Sequence, residues 1–219
     1  MEKGYFITGT DTDVGKTWAT LALIRYFRNQ GKSVAGMKPV ASGCFMRDGR
    51  LVNDDALQIQ AAASITMGYE LINPYAYAEP VSPHIAGKNK PAALDKIVCC
   101  FDKLKEQADL VLVEGAGGWL TPVNNREDMA DLAKMLALPV ILVVAIRLGC
   151  INHAKLTYRG IQQTYIHCAG WIAACSDPNV LNRVEIIRTL EKAMDAPLLG
   201  VLPYRETADF NFFAQQLKL

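Results

Sequence analysis

Short runs of uninterrupted apolar residues alternate along the chain with longer stretches whose apolar residues recur at helical spacing. "DLVLVEG" and "PVILVVAI" lack a polar face, the pattern of strands covered on both sides. "GYFIT", "SVAGMKPV" (halted by Pro39), "AGWIAA" and "LLGVLP" read as four more strands. Between them lie the helical patterns "TWATLALIRYFRNQG", "ALDKIVCCFDKLKEQA", "DMADLAKMLA", "NHAKLTYRGIQQT" and "NRVEIIRTLEKAM". In the second of these, Leu94, Ile97, Val98, Phe101 and Leu104 form one stripe. The alternation predicts an α/β fold with a mostly parallel sheet flanked by helices on both faces. No repeat or linker interrupts residues 1–219, which read as a single domain. From Cys44 to Lys90 the pattern is weakest, and Pro74, Pro80, Pro83 and Pro91 mark long connections able to shape a pocket.

Composition narrows the possible partners. The chain has 219 residues, 51% of them hydrophobic and 21% charged, with a formal net charge of +1. Such a balance supplies no field for nucleic acid or an anionic membrane. The longest apolar stretch, "LPVILVVAI", is too short to span a bilayer, and no signal-like segment precedes the first strand, so a cytoplasmic location is expected. None of Cys44, Cys99, Cys100, Cys150, Cys168 and Cys175 forms a Cys-x-x-Cys pair, and the adjacent Cys99 and Cys100 read as small core residues of a reduced protein.

The chemistry starts at "GTDTDVGKT", Gly9 to Thr17, between the first strand and the first helix. A strand that turns tightly into a helix N-terminus aims successive N–H groups at an anion. Gly9 and Gly15 permit the turn, Lys16 reaches the β- and γ-phosphates, and the Thr17 hydroxyl can ligate Mg²⁺, so the fold is expected to be P-loop NTPase-like. Glu114 ends a buried strand and can hold Mg²⁺, and Gly115, Gly117 and Gly118 let the backbone after it approach a ligand. In "NDDAL", Asp54 and Asp55 are equal candidates for the metal, with helix capping as the plain alternative. Lys38 stands at the end of the second strand, where α/β folds bind ligands, unless it extends to the surface, and Ser42 and Gly43 follow in a small-residue loop. Gly149 precedes a helix starting near Asn152, which reads as an ordinary helix entry or as a carboxylate site. His84, His153 and His167 lie apart, with no nucleophile signature around them.

Together, "YFITGTDTDVGKT", "GMKPVASG", "NDDAL", "INPYAYAEPVSPHIA", "LVLVEGAGGWLTP", "LPVILVVAIRLGCINHA" and "AGWIA" resemble the dethiobiotin synthetases, in order from Tyr5 to Ala173, and "APLLGVLP" extends the resemblance to Pro203. The phosphate loop, one residue longer than usual, is a mark of that family. The resemblance implies a ligase that uses ATP, Mg²⁺ and CO₂ to close a ureido ring on 7,8-diaminononanoate. A carbamate forms on one amine and attacks the γ-phosphate to give a carbamic–phosphoric anhydride, and the second amine then expels phosphate. By the same resemblance, Lys16 and Lys38 are catalytic, and Thr17, Asp55 (in preference to Asp54) and Glu114 hold the metal. The nucleotide would be bound by Thr12, Asp13, Val14, Gly15, Lys16, Thr17, Trp18, Asp55, Glu114, Gly115, Ala116 and Gly117, with Ala174, Cys175, Pro203, Tyr204 and Arg205 around the base. Lys38 and Ser42 would take the substrate's nitrogen end, and Gly149, Cys150, Ile151 and Asn152 its carboxylate. That last turn comes from a neighbouring subunit in the family, which implies a homodimer with shared active sites.

In one place the chain departs from the family. Where an Asn-Asp pair reads the adenine, this sequence has Ala174 and Cys175, which cannot make those hydrogen bonds. Base recognition then falls to the backbone or to Pro203–Arg205, or else the choice of nucleotide is lax. The main alternative is a ParA/MinD-like nucleotide-switch ATPase, whose loop carries a signature lysine at the position of Asp11. A cobalamin-type amidotransferase synthase would need a glutaminase segment for which the chain has no room. Residues after Arg205 match the family poorly and receive no role.

Overall fold

In the computed structural model, which describes residues 3–219, β1 (Gly4–Gly9) runs through the phosphate loop into α1 (Lys16–Asn29), and β2 (Val34–Met37) stops just before Lys38. Pro39, with no N–H to give a ladder, helps to end that strand. The weakly patterned region then proves to be mostly ordered. After β3 (Val40–Ala41), it holds a hairpin of β4 (Phe45–Arg47) and β5 (Arg50–Val52), α2 (Asp54–Ala62), α3 (Tyr69–Ile72), β6 (Tyr75–Ala76) and α4 (Pro83–Ala86). Its elements are too short for either periodicity to register in the sequence. The remaining α/β units are α5 (Leu94–Lys105), β7 (Leu110–Glu114), α6 (Met129–Leu136), β8 (Val140–Ala145), α7 (Cys150–Gln163), β9 (Cys168–Ala174), α8 (Arg183–Ala193), β10 (Leu198–Leu202) and α9 (Phe210–Gln215).

The main sheet has the order β10-β9-β8-β1-β7-β2, and its pairings are all parallel. Ladder alternation explains the continuous apolar runs. Phe6, Val111, Val113 and Val140 belong to the core on one face, and Ile7, Leu110, Leu112 and Ile141 to the core on the other. The chain leaves β1 toward β2 on one side and reaches β8 on the other, so the strand order reverses at the C-terminal end of β1. Ligand crevices of open α/β sheets form at such a reversal, and the phosphate loop lies there. Register places Ile7 of β1 level with Glu114 of β7, which brings that carboxylate to the same sheet edge.

Several local readings are corrected. Asn53 caps α2, accepting from the Ala56 N–H, so neither Asp54 nor Asp55 is the cap. Helix α7 begins at Cys150 behind Gly149, which puts Asn152 inside the helix. Cys100 is buried, but Cys99 is exposed on the outer face of α5. The unassigned C-terminus forms α9, which covers α1: Phe213 is fully buried and its ring lies 5.4 Å from that of Trp18. No helix among the described residues is long and apolar enough to cross a membrane.

Candidate active site

Gly15 takes φ 90°, a left-handed conformation that a side chain would strain, and a Cβ there would lie 3.0 Å from the Ala174 Cβ. Asp13 also has positive φ, 56°. The loop thus enters α1 through a sharp path, and the helix has no side-chain cap and no acid in its first turn. An anion placed there meets N–H groups and the positive end of the helix dipole without competition from a carboxylate cap. Lys16 folds over the loop and donates to the Asp11 carbonyl at 2.7 Å. Burial, reinforced by the Lys38 charge and opposed by Glu114, Asp55 and Asp11, pushes the Lys16 pKa down to about 8.

Lys38 is buried (5% exposed), so the surface reading of this residue fails. Its Nζ donates to Glu114 Oε1 at 2.5 Å and to Asp55 Oδ2 at 2.9 Å. Burial acts to lower the Lys38 pKa, but the two carboxylates outweigh it and hold the ammonium above its ordinary value. Asp55 shows the converse: burial would raise its pKa, and Lys38, aided by Thr17, holds it below the usual carboxylate range. The Thr17 hydroxyl donates to Glu114 Oε1 at 3.0 Å, and Glu114 Oε2 is buried with no hydrogen-bond partner. Glu114 itself is fully buried, which removes the capping and solvent alternatives for it.

A polar chain that the sequence reading missed holds this cluster in place. Asn73 Nδ2 donates to the Lys38 carbonyl at 2.6 Å, and the Lys38 N–H donates to Ile72 O at 2.9 Å. The Tyr69 hydroxyl donates to Asn73 Oδ1 at 3.1 Å and accepts from the Asn53 N–H at 2.8 Å. The helix start that carries Asp55 is thereby tied to the backbone of Lys38. The available signal was a buried asparagine between two apolar runs, a residue that must find partners.

One cavity of about 1270 Å³ joins these groups. Thr12, Asp13, Gly15, Lys16, Thr17 and Trp18 line it, together with Lys38, Asp55 and Glu114. Ser42, Ala116, Gly117, Ala174, Cys175, Pro203, Tyr204 and Arg205 line it as well. The Ser42 hydroxyl is buried without a partner. Val14 packs beneath the loop and the Gly115 N–H goes to Ile7 O, so neither residue lines the cavity. Gly149, Cys150, Ile151 and Asn152 do not line it either. Arg205 stacks its guanidinium over Phe212 at 4.2 Å, and Cys175 belongs to the core behind β9. Ser82, Trp119, Gly160, Ser176 and Glu206 also line the cavity, and sequence reasoning had selected none of them.

A family model described as an AAA domain matches residues 3–210. The chain is 45% identical over 219 residues to an ATP-dependent dethiobiotin synthetase of Aromatoleum aromaticum, covering 99% of this chain and 97% of that one. A second, from Nitrosospira multiformis, is 47% identical over 211 residues, with 95% and 92% covered. The chain belongs to the ATP-dependent dethiobiotin synthetase family. Like the other dethiobiotin synthetases it is an ATP-dependent ligase of biotin biosynthesis, and the P-loop, Lys38 and Glu114 fall in one cavity of that ligase. Among solved structures, the chain is similar to the MinC:MinD cell division complex of Aquifex aeolicus (TM-score 0.56, 16% identity, 98% of this chain and 86% of that one). It is equally similar to the septum site-determining protein MinD of Pyrococcus horikoshii in complex with Mg-ADP (TM-score 0.56, 17% identity, 99% and 87% covered). Those likenesses show a shared P-loop fold and leave the dethiobiotin synthetase assignment of function untouched.

Proposed function

We propose that this cavity, in a single P-loop α/β domain, closes the ureido ring of dethiobiotin on 7,8-diaminononanoate, consuming CO₂ and ATP. The observation that carries the proposal is Lys38, buried beside the phosphate loop and paired with both Asp55 and Glu114. A buried cation at that point serves a second anion next to the γ-phosphate, as a carbamate is. The phosphates lie over the N-terminus of α1 with Lys16 on the β- and γ-oxygens. The nucleoside lies between Ala174–Cys175 and Pro203–Arg205, which line the same cavity as Lys38 and Ser42.

Ser42, whose hydroxyl is buried without a partner, orients the nitrogen end of the diamine, and Lys38 neutralises the carbamate formed there. A carbamate oxygen attacks the γ-phosphorus, ADP leaves, and Lys16 stabilises charge on the equatorial oxygens. The second amine then adds to the carbamoyl carbon and phosphate departs, completing the ring. Hard oxygen donors suit Mg²⁺, and the unpartnered Glu114 Oε2, with Asp55 and the Thr17 hydroxyl nearby, fits such an ion. Mg²⁺ held by these residues would neutralise the β- and γ-phosphates.

The N-terminus of α7 supports a homodimer. Gly149 has φ 89°, no side chain caps the helix and its first turn has no acid, which makes it a fit for the substrate carboxylate, yet it stands outside its own cavity. Leu148, beside it, is fully exposed. A second subunit would bring this turn to the first subunit's mouth, in the cytoplasm.

The test is whether phosphate release from ATP requires both 7,8-diaminononanoate and bicarbonate. Dependence on both is expected. Equal hydrolysis without them would favour a nucleotide switch and overturn the ring-closing reading. Lys38→Ala is expected to abolish ring closure while ATP binding persists, and near-normal turnover would remove Lys38 from its role.

A further inference from the structure

The order of the main sheet separates two kinds of surroundings for the phosphate loop. Lys38 follows β2, Glu114 ends β7 and Asp55 lies in the first turn of α2, which packs on β2, so all three stand on one side of β1. Strands β8, β9 and β10 lie on the other side. There Gly15 rests against Ala174 at the end of β9, and the Cys175 N–H donates to Leu202 O at 2.9 Å, which brings Pro203–Arg205 alongside. Helix α9 covers the same side. The Lys218 N–H after it donates to Leu199 O of β10 at 2.8 Å, and Phe213 shares a core with Leu199 and Leu202. With the γ-phosphate beside Lys38, the nucleoside runs from the start of α1 toward β9, β10 and α9.

Trp18 stands on that path. It follows Lys16 and Thr17 in the first turn of α1 and lines the cavity. Of the three tryptophans, Trp119 and Trp171 are buried, whereas Trp18 is 37% exposed. Helix α9 braces its ring: Phe213 lies 5.4 Å away at an interplanar angle of 40°, and Phe210 meets it edge-on at 6.3 Å and 82°. Phe212 of the same helix carries the Arg205 guanidinium, so α9 ties Trp18 to the stretch beside Cys175. The indole is thus fixed on one side and leaves apolar surface open on the other, surface that a ligand ring can cover favourably. Ala174 and Cys175 offer the edge of a base no amide or carboxylate. Every base has a π-face, however, and an aromatic platform binds it without reading its edge.

We infer that Trp18, braced by Phe210 and Phe213, is the platform on which the nucleobase stacks. It sets the choice of nucleotide by ring area, purine over pyrimidine, with adenine and guanine treated alike. This rests on the placement of phosphates and nucleoside in the reading above.

The experiment follows binding to the full chain, with Mg²⁺, by tryptophan fluorescence and calorimetry. The probes are the β,γ-imido analogues of ATP, GTP and CTP, and inorganic tripolyphosphate, which has phosphates and no base. For the wild type, both purine analogues are expected to quench the fluorescence and to bind with similar affinity, and the CTP analogue about three- to tenfold more weakly. Trp18→Leu keeps an apolar contact for Phe213 and removes the platform. It is expected to abolish the quench, weaken the purine analogues by about tenfold or more, level the purine–pyrimidine difference and leave tripolyphosphate affinity unchanged. Trp18→Phe, with a smaller ring, is expected to fall between the two and decides the matter if Trp18→Leu is unstable. A quench that survives Trp18→Leu, or a loss shared equally by tripolyphosphate, would overturn the proposal. If tripolyphosphate binds Lys16→Met as well as it binds the wild type, the phosphates do not lie over the loop, and the platform falls with that placement. Tripolyphosphate binding that needs Lys16, with nucleotide affinities unchanged in Trp18→Leu, removes the platform alone.

Discussion

Replacing Lys38 by Met keeps the bulk of the side chain and removes the charge that Asp55 and Glu114 share. Glu114 is fully buried, whereas the Asp55 side chain is 38% exposed and can turn to water. The penalty therefore falls mainly on Glu114. Removing one partner of a buried pair costs about 3–5 kcal/mol, and the exposure of Asp55 places this case near the lower figure. In a chain of this size about 3 kcal/mol lowers Tm by roughly 6–12 °C. Thermal melts near neutral pH without nucleotide would read this, alongside the double variant Lys38→Met/Glu114→Gln. The double variant removes both charges of this buried pair and is expected to recover most of the loss, the behaviour of a pair whose value is mutual neutralisation. Mg²⁺ should raise the Tm of Lys38→Met more than that of the wild type, because the divalent cation supplies the missing charge to the same oxygens. A single variant that melts within about 2 °C of the wild type would refute the argument, the shift being set against the slope above. So would a double variant no more stable than the single.

Other outcomes follow from neighbouring features. Lys16 must be an ammonium to meet phosphate, and its pKa of about 8 means that the free enzyme loses this charge as pH rises through 8. The affinity for a non-hydrolysable ATP analogue should hold steady below that pH and weaken above it by up to about tenfold per unit, with proton uptake on binding seen by calorimetry near pH 8.5. An affinity constant up to pH 9.5 would contradict this. Phe213→Ala removes a fully buried ring packed on Trp18 and should cost about 3–5 kcal/mol in urea unfolding, with a rise in KM for ATP larger than any fall in kcat. A loss below about 1 kcal/mol would show that α9 is not a support of the nucleotide site. Ala174 and Cys175 offer the base no amide or carboxylate, so GTP and CTP should support turnover within about tenfold of ATP. A preference of several hundredfold would mean that another group reads the base.

The parts of the fold legible in sequence were those whose cause is local. A strand covered on both faces must be apolar at successive positions, and "LVLV" and "PVILVVAI" could be read as strands from that requirement alone. The phosphate loop was legible because one short segment supplies the turn, the N–H groups and the lysine. Helix α9 was not. Its six residues, "FNFFAQ", carry too little periodicity, and it is held by distant partners: Phe213 against Trp18, Lys218 N–H on Leu199 O, and Arg25 on Asn211. The same holds for α3 and β6, whose order comes from packing on elements far away in the chain.

Within the site, the sequence marked Lys38, Asp55 and Glu114 separately as charges at plausible edges, with a bland reading open for each. Those readings were defeated by mutual burial, which no single residue reveals. A lysine can extend to solvent and an aspartate can cap a helix only if each has no better partner. Once β2 and β7 are neighbours, Glu114 lies too deep to reach water, and the ammonium beside it is what makes the fold tolerable there. Asp55 then completes the pair from α2, on a helix start whose cap, Asn53, is tied through Tyr69 and Asn73 to the Lys38 carbonyl. The cap, the hydroxyl and the amide are what hold Asp55 within reach of Lys38. Tyr69→Phe should therefore impair turnover through the loosening of Asp55, with rescue by no change in nucleotide concentration, whereas a merely structural loss would lower Tm and leave kcat intact.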